Sequence, residues 1–348
     1  MEIEFNGKII FWRGPSPFHF VAVPAKESRE IKAVSKLATY GWGSERLGVL
    51  EQTCYHPPYS IIQHKEKDNM TQPANVVRFR LGNFSCVLLC DGNETLREED
   101  IANMFANGAE RMLAAFRALD TPLGFSRNIL LLETGEKRVL IDAGNGLTDP
   151  ADPGQFLDNL HAANITPESI DTIVISHYHG DHIGGLLDSE GNPTFVNARL
   201  VVPKLEHDFW MRNDVLAEMD EETANGLRQT FAAYASRLTL LDDTTDIETG
   251  IRYVPALGHS PGHQAINIES QGERLLHLVD AIHMPIQLTA LDVSAFDFQP
   301  EIANATRRTI LARTDESLLT LAYHFPFPGL GYFKRTGDLL AWEPRAHN

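Results

Sequence analysis

Four side chains of the kinds that bind metal ions lie close together between Ile175 and Gly185. They are His177, His179, Asp181 and His182. They follow the apolar run 173–175, a pattern typical of a buried strand that ends in a turn. Imidazole and carboxylate are ligands that Zn²⁺ and related cations prefer, and crowding them together is unfavourable without a cation between them. Alternate residues of such a turn can face one metal while their neighbours face a second.

Three further candidate ligands come at the ends of later predicted strands. His259 lies in a loop after a strand, Asp280 directly follows the apolar run 275–279, and His324 follows another strand. A carboxylate after so apolar a run is costly to bury without a partner, and a metal is one such partner. His263 begins the next predicted strand and is more typical of a supporting or structural residue.

The composition is that of a soluble globular protein, with 43% hydrophobic and 22% charged residues in 348. No apolar run approaches the length of a membrane span, and the first residues lack the layout of a signal peptide. We therefore expect a cytoplasmic protein with no membrane partner. The net charge of −17 would repel a phosphate backbone, so a small-molecule substrate is expected rather than nucleic acid.

The three cysteines, Cys54, Cys86 and Cys90, do not form a disulfide framework. On one strand, Cys86 and Cys90 would lie about 13 Å apart, too far to bridge. We expect reduced and mostly buried thiols.

The first 69 residues differ in sequence pattern from the rest of the chain. Runs 11–24 and 39–43, with strands predicted at 5–11 and 18–23, resemble the start of a small β-barrel family of unknown function, the DUF1905 type. The polar run 51–69 is typical of a linker, and the segment that starts at Met70 is typical of a natural protein start. The chain thus divides into an N-terminal partial β-barrel-like module with linker, 1–69, and an enzyme domain, 70–348. One hypothesis is that a truncated barrel has been fused ahead of a complete enzyme.

Strands and helices alternate from residue 75 onward, with many hairpins. Predicted strands cover 76–81, 84–90, 128–133, 138–141, 170–175, 199–202, 238–241, 251–254, 264–269, 275–279 and 318–323, and predicted helices cover 97–119, 153–164, 204–211 and 222–236. This pattern favours an α/β (α+β) fold of two mixed sheets covered by helices. Asp142, at the end of a strand, is expected to brace a neighbouring site.

The ordered set of motifs resembles the metallo-β-lactamase superfamily over residues 75–335. The resemblance implies an αββα sandwich with a dinuclear site between the sheets. It further implies that His177, His179 and His259 hold the first metal, that Asp181, His182 and His324 hold the second, and that Asp280 bridges them. Two divalent cations are implied, zinc foremost, with Mn, Fe or Co possible in an all-N,O site.

The subgroup is narrowed by three positions. Asp280 stands where many true β-lactamases carry Cys, so antibiotic hydrolysis is not favoured. His179 stands where the flavodiiron branch usually has Glu, which disfavours oxygen reduction. Runs 279–283 and 324–331 are similar to the methyl-parathion-hydrolase-like and lactonase-like branch. In the lactonases a Tyr lies three residues after the bridging Asp, whereas this chain has His283.

The implied activity is hydrolysis of an ester, lactone or phosphotriester in a small molecule. Two cations that share Asp280 and a water would supply hydroxide at neutral pH. Asp181 would then be a ligand rather than a free base. His283 either orients substrate or protonates the leaving group, or it only packs against the strand end. The alternative is a mononuclear iron enzyme similar to persulfide dioxygenases, and a homodimer is possible for either.

Overall fold

The computed structural model describes residues 9–11, 19–21, 74–105, 108–147, 152–242, 245–291, 295–336 and 339–346. Two short strands, β1 (Ile9–Phe11) and β2 (His19–Val21), pair antiparallel and lie inside the strands predicted for the N-terminal module. The other predictions for residues 1–69, Cys54 among them, lie outside the described residues.

Two seven-stranded sheets form the centre of the described chain. The first sheet contains β3 (Val76–Leu81), β4 (Phe84–Thr95), β5 (Gly124–Glu133), β6 (Arg138–Ile141), β7 (Thr172–Val174), β8 (Arg199–Pro203) and β9 (Leu238–Leu241). The second contains β10 (Asp246–Glu248), β11 (Ile251–Pro255), β12 (Gln264–Ser270), β13 (Glu273–His277), β14 (Leu319–Leu321), β15 (Leu330–Thr336) and β16 (Leu339–Pro344). In each sheet the spatial order follows the chain order.

Parallel pairing includes the strands that precede the His177–His182 segment, Asp280 and His324. Strands β6 to β9 run parallel, as do β13 and β14, and the remaining neighbours are antiparallel. Since parallel strands end at the same edge of a sheet, the loops that follow them converge there.

The described residues form eight α-helices, some of which cover the outer faces of the sheets. They are α1 (Glu98–Met104), α2 (Ala109–Arg117), α3 (Phe156–Ala162), α4 (Gly180–Ile183), α5 (Lys204–Trp210), α6 (Asn213–Glu218), α7 (Glu221–Ala233) and α8 (Pro300–Arg313). Buried side chains of α3 and α7 pack on the first sheet, and Ile310 and Leu311 of α8 pack on the second. The result is an αββα sandwich, as the sequence predicts.

Strand β5 shows why the central strands are continuous apolar runs in the sequence. Ile129 and Leu131 point to the helix-covered core, whereas Leu130 and Leu132 point to the core between the sheets. All four side chains have no exposed surface, because a strand between two layers buries both of its faces.

One helix prediction was wrong, and several elements, α8, β15 and β16 among them, were not predicted. The single helix predicted at 97–119 is two helices, α1 and α2, with Gly108, a poor helix former, at the N-cap of α2. Within this stretch, Ile101, Phe105 and Met112 are fully buried. Helix α8 was not predicted, since its buried face includes Ala303 and Arg307 and lacks an apolar stripe.

Candidate metal centre

The segment after β7 is held by Asp142, which follows β6. Asp142 accepts hydrogen bonds from the backbone N–H and the hydroxyl of Ser176, both at 2.8 Å. It also accepts one from His182 Nδ1 at 2.8 Å. With Nδ1 bound to Asp142, the other ring nitrogen of His182, Nε2, is the one that faces the clusters. The predicted bracing role of Asp142 matches this geometry.

The segments after β11, β13 and β14 approach from the second sheet. Val279 adopts φ +53°, a strained conformation for a β-branched residue, directly before Asp280. The backbone N–H of Asp280 donates to His263 Nε2 at 3.2 Å, and His263 Nδ1 donates to the Ala256 carbonyl at 2.9 Å. Burial lowers the pKa of His263 to about 3, so the ring stays neutral and supports Asp280 from behind.

All seven predicted ligands lie together as two adjoining clusters. The first cluster contains His177, His179, His259 and Asp280, and the second contains Asp181, His182 and His324. The candidate ligand atoms of each cluster lie within 4.8 Å of one another. Asp181 exposes 27% of its side chain, and the other six residues are at most 9% exposed. The first cluster is centred on His179 Nδ1, which is 2.9 Å from Nε2 of both His177 and His259.

Asp280 lies between the clusters. Its Oδ2 is 3.3 Å from His259 Nε2 in the first cluster. The same oxygen is 3.3 Å from His182 Nε2 and 3.2 Å from His324 Nε2 in the second. Burial alone would raise the pKa of Asp280, but the adjacent His324 and His182 hold it well below its usual range. The group is therefore a carboxylate that faces imidazoles of both clusters.

The residues present fit divalent cations. His182 Nε2 and Asp280 Oδ1 are buried without a hydrogen-bond partner, a costly arrangement that a cation would relieve. Burial lowers the pKa of His177 and His179 well below the usual range, which leaves neutral rings with lone pairs to donate. A donor set made only of nitrogen and oxygen accepts Zn, Mn, Fe or Co.

His283 faces both clusters and is 1% exposed. Its ring centre lies 4.8 Å from that of His259 and 5.7 Å from that of His324. Its Nε2 is 3.7 Å from Asp280 Oδ2, and neither ring nitrogen has a hydrogen-bond partner. The ring therefore lies against both clusters as well as near the end of its strand.

Sequence reasoning missed Glu206 and the buried ion pair of Asp297 and Arg307. Asp297 Oδ1 is 3.5 Å from His259 Nδ1, and Arg307 Nη2 lies 2.7 Å from both Asp297 oxygens. Arg307 Nε donates to the Ala281 carbonyl at 2.7 Å, which ties α8 to the loop after Asp280. Neither residue lies in a recognisable motif, so the local sequence offers no signal for this contact.

A two-sheet sandwich with a cluster of histidines and carboxylates at its strand ends is the architecture of the metallo-β-lactamase fold. The sequence pattern of the metallo-beta-lactamase superfamily matches residues 123–320, and the chain belongs to that superfamily.

Its relatives include metallo-hydrolases and lactonases. A probable metallo-hydrolase of Mycobacterium tuberculosis is 28% identical over 179 residues, which are 45% of this chain and 56% of that protein. The chain thus matches little more than half the length of this relative. An N-acyl homoserine lactonase of Bacillus thuringiensis is 24% identical over 199 residues, 50% of this chain and 70% of that protein.

Solved structures extend the likeness over most of the described chain. The dizinc quorum-quenching lactonase AidC, in complex with a product, has a TM-score of 0.70 and 28% identity and covers 79% of this chain and 98% of its own. The hydrolase AbOPH of the beta-lactamase superfamily has a TM-score of 0.70 and 25% identity and covers 80% of this chain and 100% of its own. No helix in the described part of the chain is long and apolar enough to cross a membrane.

Proposed function

We propose that the protein is a metal-dependent hydrolase that cleaves an ester-type bond, in a lactone, ester or phosphotriester, at a centre of two divalent cations. The observation that carries the proposal is the position of Asp280. One oxygen of this carboxylate lies within 3.3 Å of imidazole nitrogens from both clusters. A carboxylate placed in this way can bridge two adjacent cations.

The ligand assignment follows the two clusters. His177, His179 and His259 would hold the first cation, Asp181, His182 and His324 would hold the second, and Asp280 would bridge them. When bound, the two cations supply hydroxide at neutral pH and polarise the substrate oxygen. Zinc is the proposed metal, because the similar structure AidC is described as a dizinc lactonase.

The protein's own groups would bind and orient the substrate. Asp181 acts as a ligand and not as a free base. His283 would orient the substrate or hold the proton that passes to the leaving group, and its two unpaired ring nitrogens support this role. Phe125 stacks on His324 at 4.4 Å, and Phe296 lies 5.5 Å from His283, so apolar rings flank the centre.

The substrate class is supported by the relatives. A lactonase and a hydrolase are among the most similar solved structures, and an N-acyl homoserine lactonase is among the sequence relatives. Lactones and activated esters are therefore the first substrates to test.

The deciding experiment is metal quantification of the purified protein, followed by assays with lactones, aryl esters, phosphotriesters and sulfate esters. We expect two divalent ions per chain and hydrolysis of a carboxylic ester, lactone or phosphotriester that chelation abolishes. Two ions with cleavage of the sulfate ester alone would contradict the proposed bond type. One iron per chain with oxygen uptake would overturn the proposal in favour of the dioxygenase alternative.

A further inference from the structure

The carboxylate of Glu206, on α5, is fully buried and accepts four hydrogen bonds. Oε1 accepts from the backbone N–H of Tyr178 at 3.0 Å and from Trp210 Nε1 at 2.8 Å. Oε2 accepts from the Ser260 hydroxyl at 2.8 Å and from the backbone N–H of Gly262 at 2.6 Å. Every partner can donate to an ionised carboxylate, so the four contacts offset the cost of burying the charge.

The two oxygens serve different loops of the first cluster. Oε1 holds Tyr178, which lies between His177 and His179, and Oε2 holds Ser260, the neighbour of His259. The three imidazoles of the first cluster are thus carried by two segments that are fastened to one carboxylate.

The approach of the second loop to α5 is unusually close. A Cβ added at Gly262 would lie 2.2 Å from the backbone nitrogen of Glu206 and 2.6 Å from its Cα. Only glycine allows the loop to come near enough for its N–H to reach the carboxylate.

The second cluster has other supports. His182 Nδ1 donates to Asp142 at 2.8 Å, and His324 Nδ1 donates to the Ser126 carbonyl at 3.0 Å. None of these contacts involves Glu206.

We propose that Glu206 is a positioning residue that sets the metal affinity of the first cluster and leaves that of the second unchanged. The inference rests on the proposed metal centre. In Glu206→Gln, the shape is kept but one oxygen becomes an NH₂ group. That group must face two N–H donors, or one N–H and a hydroxyl, so one of the two loops loses its anchor.

The test measures Zn²⁺ affinity by competition with a chelating dye in two backgrounds. His324→Ala retains the first cluster, and His259→Ala retains the second. We expect Glu206→Gln to weaken Zn²⁺ binding about 10- to 100-fold in the His324→Ala background, the loss typical of residues that orient metal ligands. In the His259→Ala background the change should stay within about twofold, below that range.

Asp91→Asn is the matched control. Asp91 is also fully buried and accepts from the backbone N–H groups of Asn145 and Phe156, but it bonds neither loop. Its substitution should leave both affinities unchanged. If Glu206→Gln does not fold, Ser260→Ala, which removes one donor, should show the same selectivity with a smaller loss.

The outcomes separate the two proposals. Failure of the unsubstituted chain to bind two Zn²⁺ ions would overturn the metal centre itself. Two ions in the unsubstituted chain, with equal losses in both backgrounds or none in either, would overturn only the positioning role of Glu206.

Discussion

Three imidazoles of the centre each have one ring nitrogen bound to a partner outside the clusters. His177 Nδ1 contacts the Ser176 hydroxyl, His182 Nδ1 contacts Asp142, and His324 Nδ1 contacts the Ser126 carbonyl, all within 3.0 Å. Each contact leaves Nε2 as the nitrogen that faces the cluster. The residues behind the ligands therefore determine which lone pairs are offered to a metal.

The proposed role of His283 in turnover can be tested by substitution. We expect His283→Ala to lower kcat about 100-fold or more, since a positioned acid or base typically contributes at least that much. The metal content should remain two per chain, measured by elemental analysis beside the steady-state assay. His161→Ala, an exposed histidine on α3, is the control. Unchanged turnover in His283→Ala would limit this side chain to packing.

Cys86 gives a prediction about alkaline pH. Burial raises the pKa of its thiol from 9.0 to about 12, although the positive charges of Arg80 and Arg345 lower it. Between these values the unfolded chain has lost the proton and the native chain keeps it, so the stability falls as the pH rises. The contribution is about 1.4 kcal/mol per pH unit.

Urea unfolding between pH 8 and pH 11 measures this effect. Cys86→Ala should lower the free energy of unfolding at pH 8 because of the cavity, yet show a shallower decline with pH. Parallel declines in the two proteins would contradict the assignment.

Helix α8 acts as a brace between two ligand segments. Through Arg307 it contacts the Ala281 carbonyl, just past Asp280, and through Asp297 it reaches His259. Burial would raise the pKa of Asp297, but His259 and Arg307 hold it well below its usual range. The arrangement makes both ligand loops depend on a helix that supplies no ligand.

Removing one partner of the Asp297–Arg307 ion pair should lower the stability of the fold. We expect Arg307→Met to lower the free energy of unfolding of the metal-free protein by about 3–5 kcal/mol, since Asp297 is left charged in the interior without its guanidinium partner. The double variant Asp297→Asn with Arg307→Met should recover part of the loss. Denaturant titration measures both, and a double variant less stable than the single one would refute the account.

Some of these elements and residues can be predicted from the sequence and others cannot, for physical reasons. Strands 76–81, 138–141 and 238–241 were predicted at their observed bounds, because short apolar runs between turns have few alternatives. The four side chains between 177 and 182 were found because so many imidazoles and carboxylates together are hard to explain by packing. His259, Asp280 and His324, each ordinary when taken alone, were added by their shared placement at strand ends and by the family resemblance. Glu206 was missed, since a Glu on a short helix predicts solvent exposure, and its donors outside α5 lie about 30 and 55 residues away in sequence.

At the scale of the whole molecule, both sheets and all seven clustered side chains lie within residues 74–346. Strands β1 and β2 form a separate two-stranded sheet. The domain division after residue 69 remains a prediction that this arrangement favours.

Deletion of residues 1–69 tests that division. We expect the remaining chain to fold, bind metal and keep its hydrolytic activity, because both cores are built from later residues. Deletion of residues 1–96 is the contrast. It also removes β3 and β4, whose Leu88 and Leu89 enter the two cores, and should abolish folding as judged by circular dichroism. Loss of activity in the shorter deletion would assign a function to the N-terminal module.

The clusters draw their side chains from both sheets, from His177 near the middle of the chain to His324 near its end. Because the site exists only in the folded chain, an occupied centre would act as a reversible cross-link that stabilises the native state over the unfolded one. Its strength would depend on the free metal concentration, so the thermal midpoint should rise with the logarithm of added Zn²⁺ and fall with chelator. Resistance to unfolding would then become a property that the cell's metal supply adjusts.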